Sequence, residues 1–397
     1  MKVAQINAVP YGSTGSVMFH LADELINNDN RVFCTTGFSW KKCKRKDYKV
    51  TSNIFVKQLH ITLSKITGKI GFFSGLATRK LIKIMREFQP DIIHLHNLHG
   101  CFVNLPLLFE YIKKEDIKVV WTLHDCWAFT GHCPHFDMIG CNKWETGCHH
   151  CPQYKLYPES YIDNSQFMYE YKKKWFNGIN NLVIVTPSAW LSNLVGKSFL
   201  KSYPVKIINN GIDLKLFKPT VSDFKKKWHC EDKYILLGVA YGWDDKKGLD
   251  IFLELYKRLN NNYQIVLVGT DKNIDKKLPD GIISIHCTSN PKELAEIYSA
   301  ADVFVNPTRE DNYPTVNMEA IACGTPVITF NTGGSPEIVD KNCGIVVEKN
   351  DVDAMIKGIE CLCKAGYSFK EACLNKALSF DKHKRLAEYM DLYRSML

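Results

Sequence analysis

Short runs rich in Val and Ile alternate along the chain with longer stretches whose apolar positions recur at helical spacing, the pattern of parallel strands joined by helical crossovers. Two series of such runs are readable. The first predicts strands at 3–7, 31–35, 92–96, 119–123, 182–186 and 205–208; the second predicts them at 234–239, 264–268, 282–286, 303–306, 327–330 and 344–347. Between the series, Asn209-Asn210-Gly211-Ile212-Asp213 and then Pro219 have turn and linker chemistry, which predicts domains at 1–208 and 209–380. Residues 381–397 predict an amphipathic helix with Leu386, Tyr389, Leu392 and Tyr393 on one face, packing back across the domains. The expected class is α/β, two open parallel sheets whose strand ends face a common cleft, and ligands in such sheets bind at those ends.

Composition agrees with this and removes several function classes. At about 150 residues per domain, 397 residues suit two or three packed domains. The net charge of +9 suits phosphates or an acidic membrane surface and is too small to predict nucleic-acid binding. The opening MKVAQINAVPYG lacks the long apolar stretch of a secretion signal. The longest uncharged stretch, 175–196, is broken by Pro187 and several Asn, so no membrane span is expected. Scattered cysteines suit a reducing cytoplasm, but Cys126, Cys133, Cys141, Cys148 and Cys151 crowd into one segment.

That segment, 126–151, is read as an insertion. Tetrahedral zinc needs a compact set of sulfur and imidazole ligands, and Cys133, Cys141, Cys148 and Cys151 supply one. His132, His135, His149 and His150 are possible substitutes; a redox or iron–sulfur role and plain reduced thiols stay open. Zinc held this way would pin a loop and leave no open position for catalysis.

Other candidates follow predicted strands. Gly12 and Gly15, after the first, sit where a tight turn opens a helix and free amides meet an anion; a plain turn is the other reading. His124 and Asp125 end the fourth; the histidine there suits a substrate hydroxyl, acid–base work or a structural cap. His94 and His96 alternate on the third and so share a face. In the second half, Lys246 and Lys247 lie in a loop where adjacent charges would hold a diphosphate. Segment 55–88 carries seven Lys or Arg, one acid and apolar residues at helical spacing. It suits either an anionic membrane surface or ordinary surface helices.

The most specific segment runs from Asn306 to Val339. It places Glu310 and Asp311 just past a strand, Glu319 eight positions after Asp311 on the next helix, then Gly324-Thr325-Pro326 and Gly333-Gly334. The chain here resembles glycosyltransferase family 4, with its acid-x7-Glu motif as Asp311-x7-Glu319. Thr122-Leu123-His124-Asp125 matches the family's Thr-x-His-Asp, 205–219 its interdomain segment and Gly12–Gly15 its glycine loop, so the likeness covers nearly the whole chain.

The resemblance implies a GT-B fold of two Rossmann-like domains, the first binding acceptor and the second the nucleotide sugar. It implies hexosyl transfer with retention and no catalytic metal, from a UDP-sugar in preference to a GDP-sugar. The expected acceptor is a lipid-linked or growing glycan and the expected place the cytoplasm, with the basic segment 55–88 suiting peripheral contact at the inner face of the cell membrane. Glu319 would bind the donor's ribose hydroxyls, Asp311 or Glu310 the donor sugar, Lys247 and Lys246 with the amides at Gly15 the diphosphate, and His124 would bind the transferred sugar or steady the charge building near the anomeric centre. The family usually has Arg where this chain has Gly242, and its first acid is commonly Glu. A sugar-nucleotide 2-epimerase of the same fold, or a zinc-clasped nucleotide-binding module without transferase activity, are the alternatives. A nicotinamide oxidoreductase is disfavoured because neither half carries a pyrophosphate fingerprint.

Overall fold

The structure is a computed structural model and describes residues 1–39, 43–366 and 368–397. Two units divide the chain: Met1–Ile208 together with Leu386–Leu397, and Asn209–Arg385.

The first unit is built on β1 (Lys2–Asn7), β2 (Arg31–Thr36), β3 (Tyr48–Val50), β4 (Ile92–Leu95), β5 (Lys118–Thr122), β6 (Leu182–Thr186) and β7 (Val205–Ile207). They pair in the order β3-β2-β1-β4-β5-β6-β7, every pairing parallel. β1, β4 and β5 are buried almost throughout, because helices cover both faces of such a sheet; this is why they read as continuous apolar runs. β3 is the strand that the apolar pattern did not announce. It is a three-residue edge strand with exposed Lys49 at its centre, registered against β2 through Cys34 and Tyr48.

Helices Gly12–Asn27, Ile54–Thr67, Gly75–Phe88, Leu105–Lys114 and Ser165–Phe176 lie in this unit. The Asn53 side chain caps the second by accepting from the Val56 amide at 2.9 Å, and Gly68, at φ 65°, ends it in the left-handed conformation. The expected terminal helix is Lys382–Met396. Its Leu386, Tyr389, Leu392 and Tyr393 are buried in one cluster with Val3, Ile92 and Val120. The Tyr393 hydroxyl meets His94 Nδ1 at 2.6 Å, and that of Tyr389 meets Thr122 at 3.1 Å.

The second unit holds β8 (Tyr234–Val239), β9 (Tyr263–Val268), β10 (Ile283–Ile285), β11 (Val303–Asn306), β12 (Val327–Phe330) and β13 (Gly344–Val347), again all parallel, in the order β10-β9-β8-β11-β12-β13. Apart from β3, each strand in both sheets coincides to within a residue at either end with an expected run. Strand order reverses between β1 and β4 in one sheet and between β8 and β11 in the other. Such switch points open a crevice at the carboxyl ends. Among the described residues no helix is long and apolar enough to cross a membrane.

Candidate active site

In the second unit the loops leaving β8 and β11 meet at the switch point. Lys247 Nζ lies 2.8 Å from Asp311 Oδ2, and Lys246 Nζ lies 3.0 Å from Glu310 Oε2, so the two expected lysines and the two expected acids form adjacent ion pairs. Burial alone would lower the Lys247 pKa, but the Asp311 carboxylate beside it outweighs that and leaves it raised, hence charged. The loops are also joined through backbone: the Lys246 carbonyl accepts from the Arg309 amide at 2.7 Å and from Thr308 Oγ1 at 3.3 Å.

Arg309, which no motif flagged, is the clamp. Its guanidinium grips Asp250 with two bonds of 2.7 Å, its Nε donates to Asn350 Oδ1 at 2.7 Å, and it also reaches the Asp245 carbonyl. Asp250 lies in the first turn of the helix Leu249–Arg258, so one side chain fixes the loop after β11 to the helix after β8. Gly333 follows β12 at φ 55°; a Cβ there would run into the Asp311 carbonyl, so only glycine lets the two loops approach this closely.

Glu319 stands in the helix Thr315–Ala322 with its Oε2 accepting from Tyr298 Oη at 3.1 Å. Tyr298 has no exposed surface, while Glu319 keeps some. Burial pushes the Glu319 carboxyl up to about 7, against the opposing hydroxyls of Tyr298 and Thr315. Gly242, at the family's arginine position, is backbone only, at φ 144° beside a fully exposed Tyr241.

In the first unit, Gly12 and Gly15 open the Gly12–Asn27 helix after β1, and the Tyr11 side chain at its N-cap makes no capping hydrogen bond. A Cβ on Gly15 would stand 2.5 Å from the Pro10 carbonyl carbon, so the chain crosses itself tightly here. His94 and His96 do share a face, their rings stacked at 4.1 Å. His96 Nδ1 then meets His124 Nε2 at 3.2 Å, and His96 Nε2 meets Gln5 at 3.2 Å. Burial holds His124 down to about 4 against the pull of Asp125, so near neutral pH the ring is a neutral hydrogen-bonding group. Of the expected roles, a neutral ring suits the hydrogen bond to a substrate hydroxyl. His99, unflagged by the sequence, lies 3.6 Å from Asp125 with its ring between Trp127 and Tyr157.

The cysteine segment departs from expectation. Cys133, Cys141, Cys148 and Cys151 do line one cavity, of about 20 Å³. Yet among the described residues no three His, Cys, Asp or Glu side chains are grouped so as to hold a metal ion, and the expected zinc set has no support. Three of these thiols have other partners. Cys133 hydrogen-bonds Cys151, lowering the latter's pKa, and the Gly131 amide donates to Cys148 Sγ at 3.1 Å. The segment is pinned by Lys172, which is fully buried and donates to the Trp127 and Thr130 carbonyls at 2.7 and 2.9 Å, with its ammonium 3.4 Å from the centre of the Trp127 ring. Asp163 holds the far end by accepting from the Cys151 amide at 2.7 Å.

Known proteins bear on this arrangement. WcaC of Escherichia coli K12, a glycosyl transferase named for colanic acid biosynthesis, is 25% identical over 325 residues, covering 79% of this chain and 78% of that one. The UDP-Gal:alpha-D-GlcNAc-diphosphoundecaprenol alpha-1,3-galactosyltransferase of Escherichia coli is 27% identical over 219 residues, covering 49% and 54%. The crystal structure of Anabaena HepE in complex with UDP-glucose superposes with a TM-score of 0.69 at 14% identity over the full length of both chains. That likeness places the two sheets in the GT-B class of fold. The description "Glycosyl transferases group 1" matches residues 233–365, which include both ion pairs and Glu319. "Glycosyltransferase Family 4" matches residues 14–216, more than half of the chain, and with the Asp311-x7-Glu319 loop and helix in place this chain belongs to glycosyltransferase family 4.

Proposed function

We propose that the protein transfers a hexosyl group, with retention and without a catalytic metal, from a UDP-sugar to a lipid-linked or growing glycan in polysaccharide assembly. In this reading the first unit takes the acceptor and the second the donor. The observation that carries it is the pair of ion pairs, Lys247–Asp311 and Lys246–Glu310, at the β8/β11 switch point, with the partly buried Glu319 on the helix that follows the β11 loop. A diphosphate needs fixed positive charge as its bond to the anomeric carbon breaks, and Lys247 and Lys246 supply it. Their carboxylate partners then turn to sugar hydroxyls, Asp311 or Glu310 taking the donor sugar. Glu319, once ionised, accepts from the ribose hydroxyls. Gly12 and Gly15 offer amides to an anion, and neutral His124 hydrogen-bonds a sugar hydroxyl. The acceptor oxygen attacks the face that the phosphate leaves, and its proton passes to the departing phosphate oxygen.

A UDP donor is supported by the likeness to HepE, whose structure holds UDP-glucose, and a polysaccharide context by the likeness to WcaC. Membrane contact at the cytoplasmic face belongs to the same reading. The Gly75–Phe88 helix turns Leu76, Arg79, Lys80 and Lys83 to solvent, an arrangement suited to anionic lipid. The test is nucleoside diphosphate release from a panel of UDP- and GDP-sugars, with Glu319→Ala alongside. Slow hydrolysis of one donor, lost in the variant, is expected; hydrolysis undiminished in the variant overturns the role of Glu319, and absence of both donor binding and hydrolysis overturns the transferase.

A further inference from the structure

The Ile54–Thr67 helix has two chemically different sides. Phe55, Leu59 and Ile66, spaced by four and seven residues, lie on one face and are exposed, Phe55 at 75%. The opposite side, with Lys57, Ile61, Ser64 and Lys65, walls a cavity of about 420 Å³, within the range of pockets that hold small organic ligands. The other walls are the segments that leave β1 and β4 at their carboxyl ends, with His99 among them, and Tyr157-Pro158-Glu159 from the segment after the cysteines. That last wall is held to the helix end: the Tyr161 amide donates to the Lys65 carbonyl at 2.8 Å, and Asn164 Nδ2 to that of Thr67 at 2.9 Å.

The charges in this cavity are unbalanced. Lys65 pairs with Glu159 at 2.6 Å. The Lys57 ammonium is half-buried over the Phe38 ring at 5.2 Å, and no carboxylate among the described residues lies within ion-pair distance of it. Burial therefore lowers its pKa with nothing but the Cys101 thiol to oppose it. A desolvated cation of this kind gains most from an anion that brings its own charge into the pocket. Val9, Ile61, Ile70 and Pro158 give the lining an apolar part, and Thr14, Ser64, Asn97 and His99 give it neutral polar groups.

We propose that this cavity receives a lipid diphosphate, the anionic headgroup region of a lipid-linked sugar acceptor, with Lys57 on the phosphates. The inference rests on the transferase reading above and narrows its acceptor from a lipid-linked or growing glycan to one carried on a lipid diphosphate. One helix then meets both parts of such a molecule: its exposed apolar stripe faces the bilayer that holds the lipid, and Lys57 on its inner side faces the diphosphate. His99, 3.6 Å from Asp125 and 8% exposed, gives the cavity a neutral polar group for the attached sugar.

The test is isothermal titration of the full chain, with UDP saturating so that any nucleoside diphosphate site is filled. Geranyl diphosphate, inorganic pyrophosphate and octyl glucoside are the three probes. Geranyl diphosphate is expected to bind at least tenfold tighter than either of the others. Lys57→Met should weaken it tenfold or more, and Lys57→Arg should restore most of the loss. Pyrophosphate binding equally well would make this a free-phosphate site, octyl glucoside binding equally well would make charge irrelevant, and an unaltered Lys57→Met would remove Lys57; each overturns the proposal. If Lys57→Met fails to fold, the three-probe comparison and Lys57→Arg still decide. Donor hydrolysis by the wild type, measured on the same preparation, separates this failure from that of the transferase reading.

Discussion

Replacing Glu319 by Gln removes a carboxyl group that burial holds at about 7 in place of 4.5, while keeping an oxygen to accept from Tyr298. At about 1.4 kcal/mol per pH unit the rise amounts to about 3 kcal/mol, and the surface that Glu319 keeps trims this to about 2 kcal/mol. The sign follows from which state binds the proton. Below 4.5 the group is protonated in folded and unfolded chains alike and costs nothing. Between 4.5 and about 7 the unfolded chain ionises first, so stability falls as pH rises, and above about 7 the whole cost is present. Glu319→Gln has no such dependence. In thermal melts without nucleotide the variant should match the wild type near pH ~4.5 and exceed it by about 4–8 °C near pH ~8, in the transition of the second unit. A difference between the two proteins that stays constant across this range would refute the reasoning, because it would mean that the carboxyl does not titrate between the two values. The same proton links to the donor: hydroxyls donate to the ionised form, so UDP affinity of the wild type should climb with pH until about 7 and then level off.

Lys247→Ala should cut donor hydrolysis by about a hundredfold, the loss typical of one charge-stabilising donor, and Lys247→Arg should recover part of it in the diphosphate-release assay. Lys172→Met leaves the Trp127 and Thr130 carbonyls without their buried donor; a loss of about 2–4 kcal/mol is expected in urea unfolding of the first unit. Lys80→Glu with Lys83→Glu should reduce sedimentation with vesicles containing phosphatidylglycerol and leave binding to neutral vesicles unchanged, with the salt dependence flattened as well.

The strands were legible because a parallel sheet covered on both faces writes each central strand as an unbroken apolar run, as in Val303–Asn306 or Leu182–Thr186. β3 was not, because an edge strand of three residues with a lysine in the middle has no such signature. The same contrast holds at the site. Lys247, Asp311 and Glu319 sit at fixed offsets from strand ends, which a sequence displays. Arg309 acts through Asp250, 59 residues away, and His99 through Asp125 across two strands; neither partnership leaves a local trace. The cysteines show the reverse error. Their spacing is dense enough for a metal, but spacing does not specify where sulfur atoms point, and in the structure Cys133 hydrogen-bonds Cys151 while Cys148 accepts from the Gly131 amide.

The bond between His94 and Tyr393 joins residues 299 positions apart. During synthesis, the first 208 residues leave the ribosome long before the helix that covers Val3, Ile92 and Val120 exists. The unit that begins first is therefore completed last, and the whole of Asn209–Arg385 is made while an apolar patch of the earlier sheet waits uncovered. Such long-range closure is slow, so the nascent chain depends on that patch staying unaggregated, and changes to Leu386, Tyr389 or Tyr393 should show first as lost yield in the cell and only secondarily as altered chemistry in whatever protein survives.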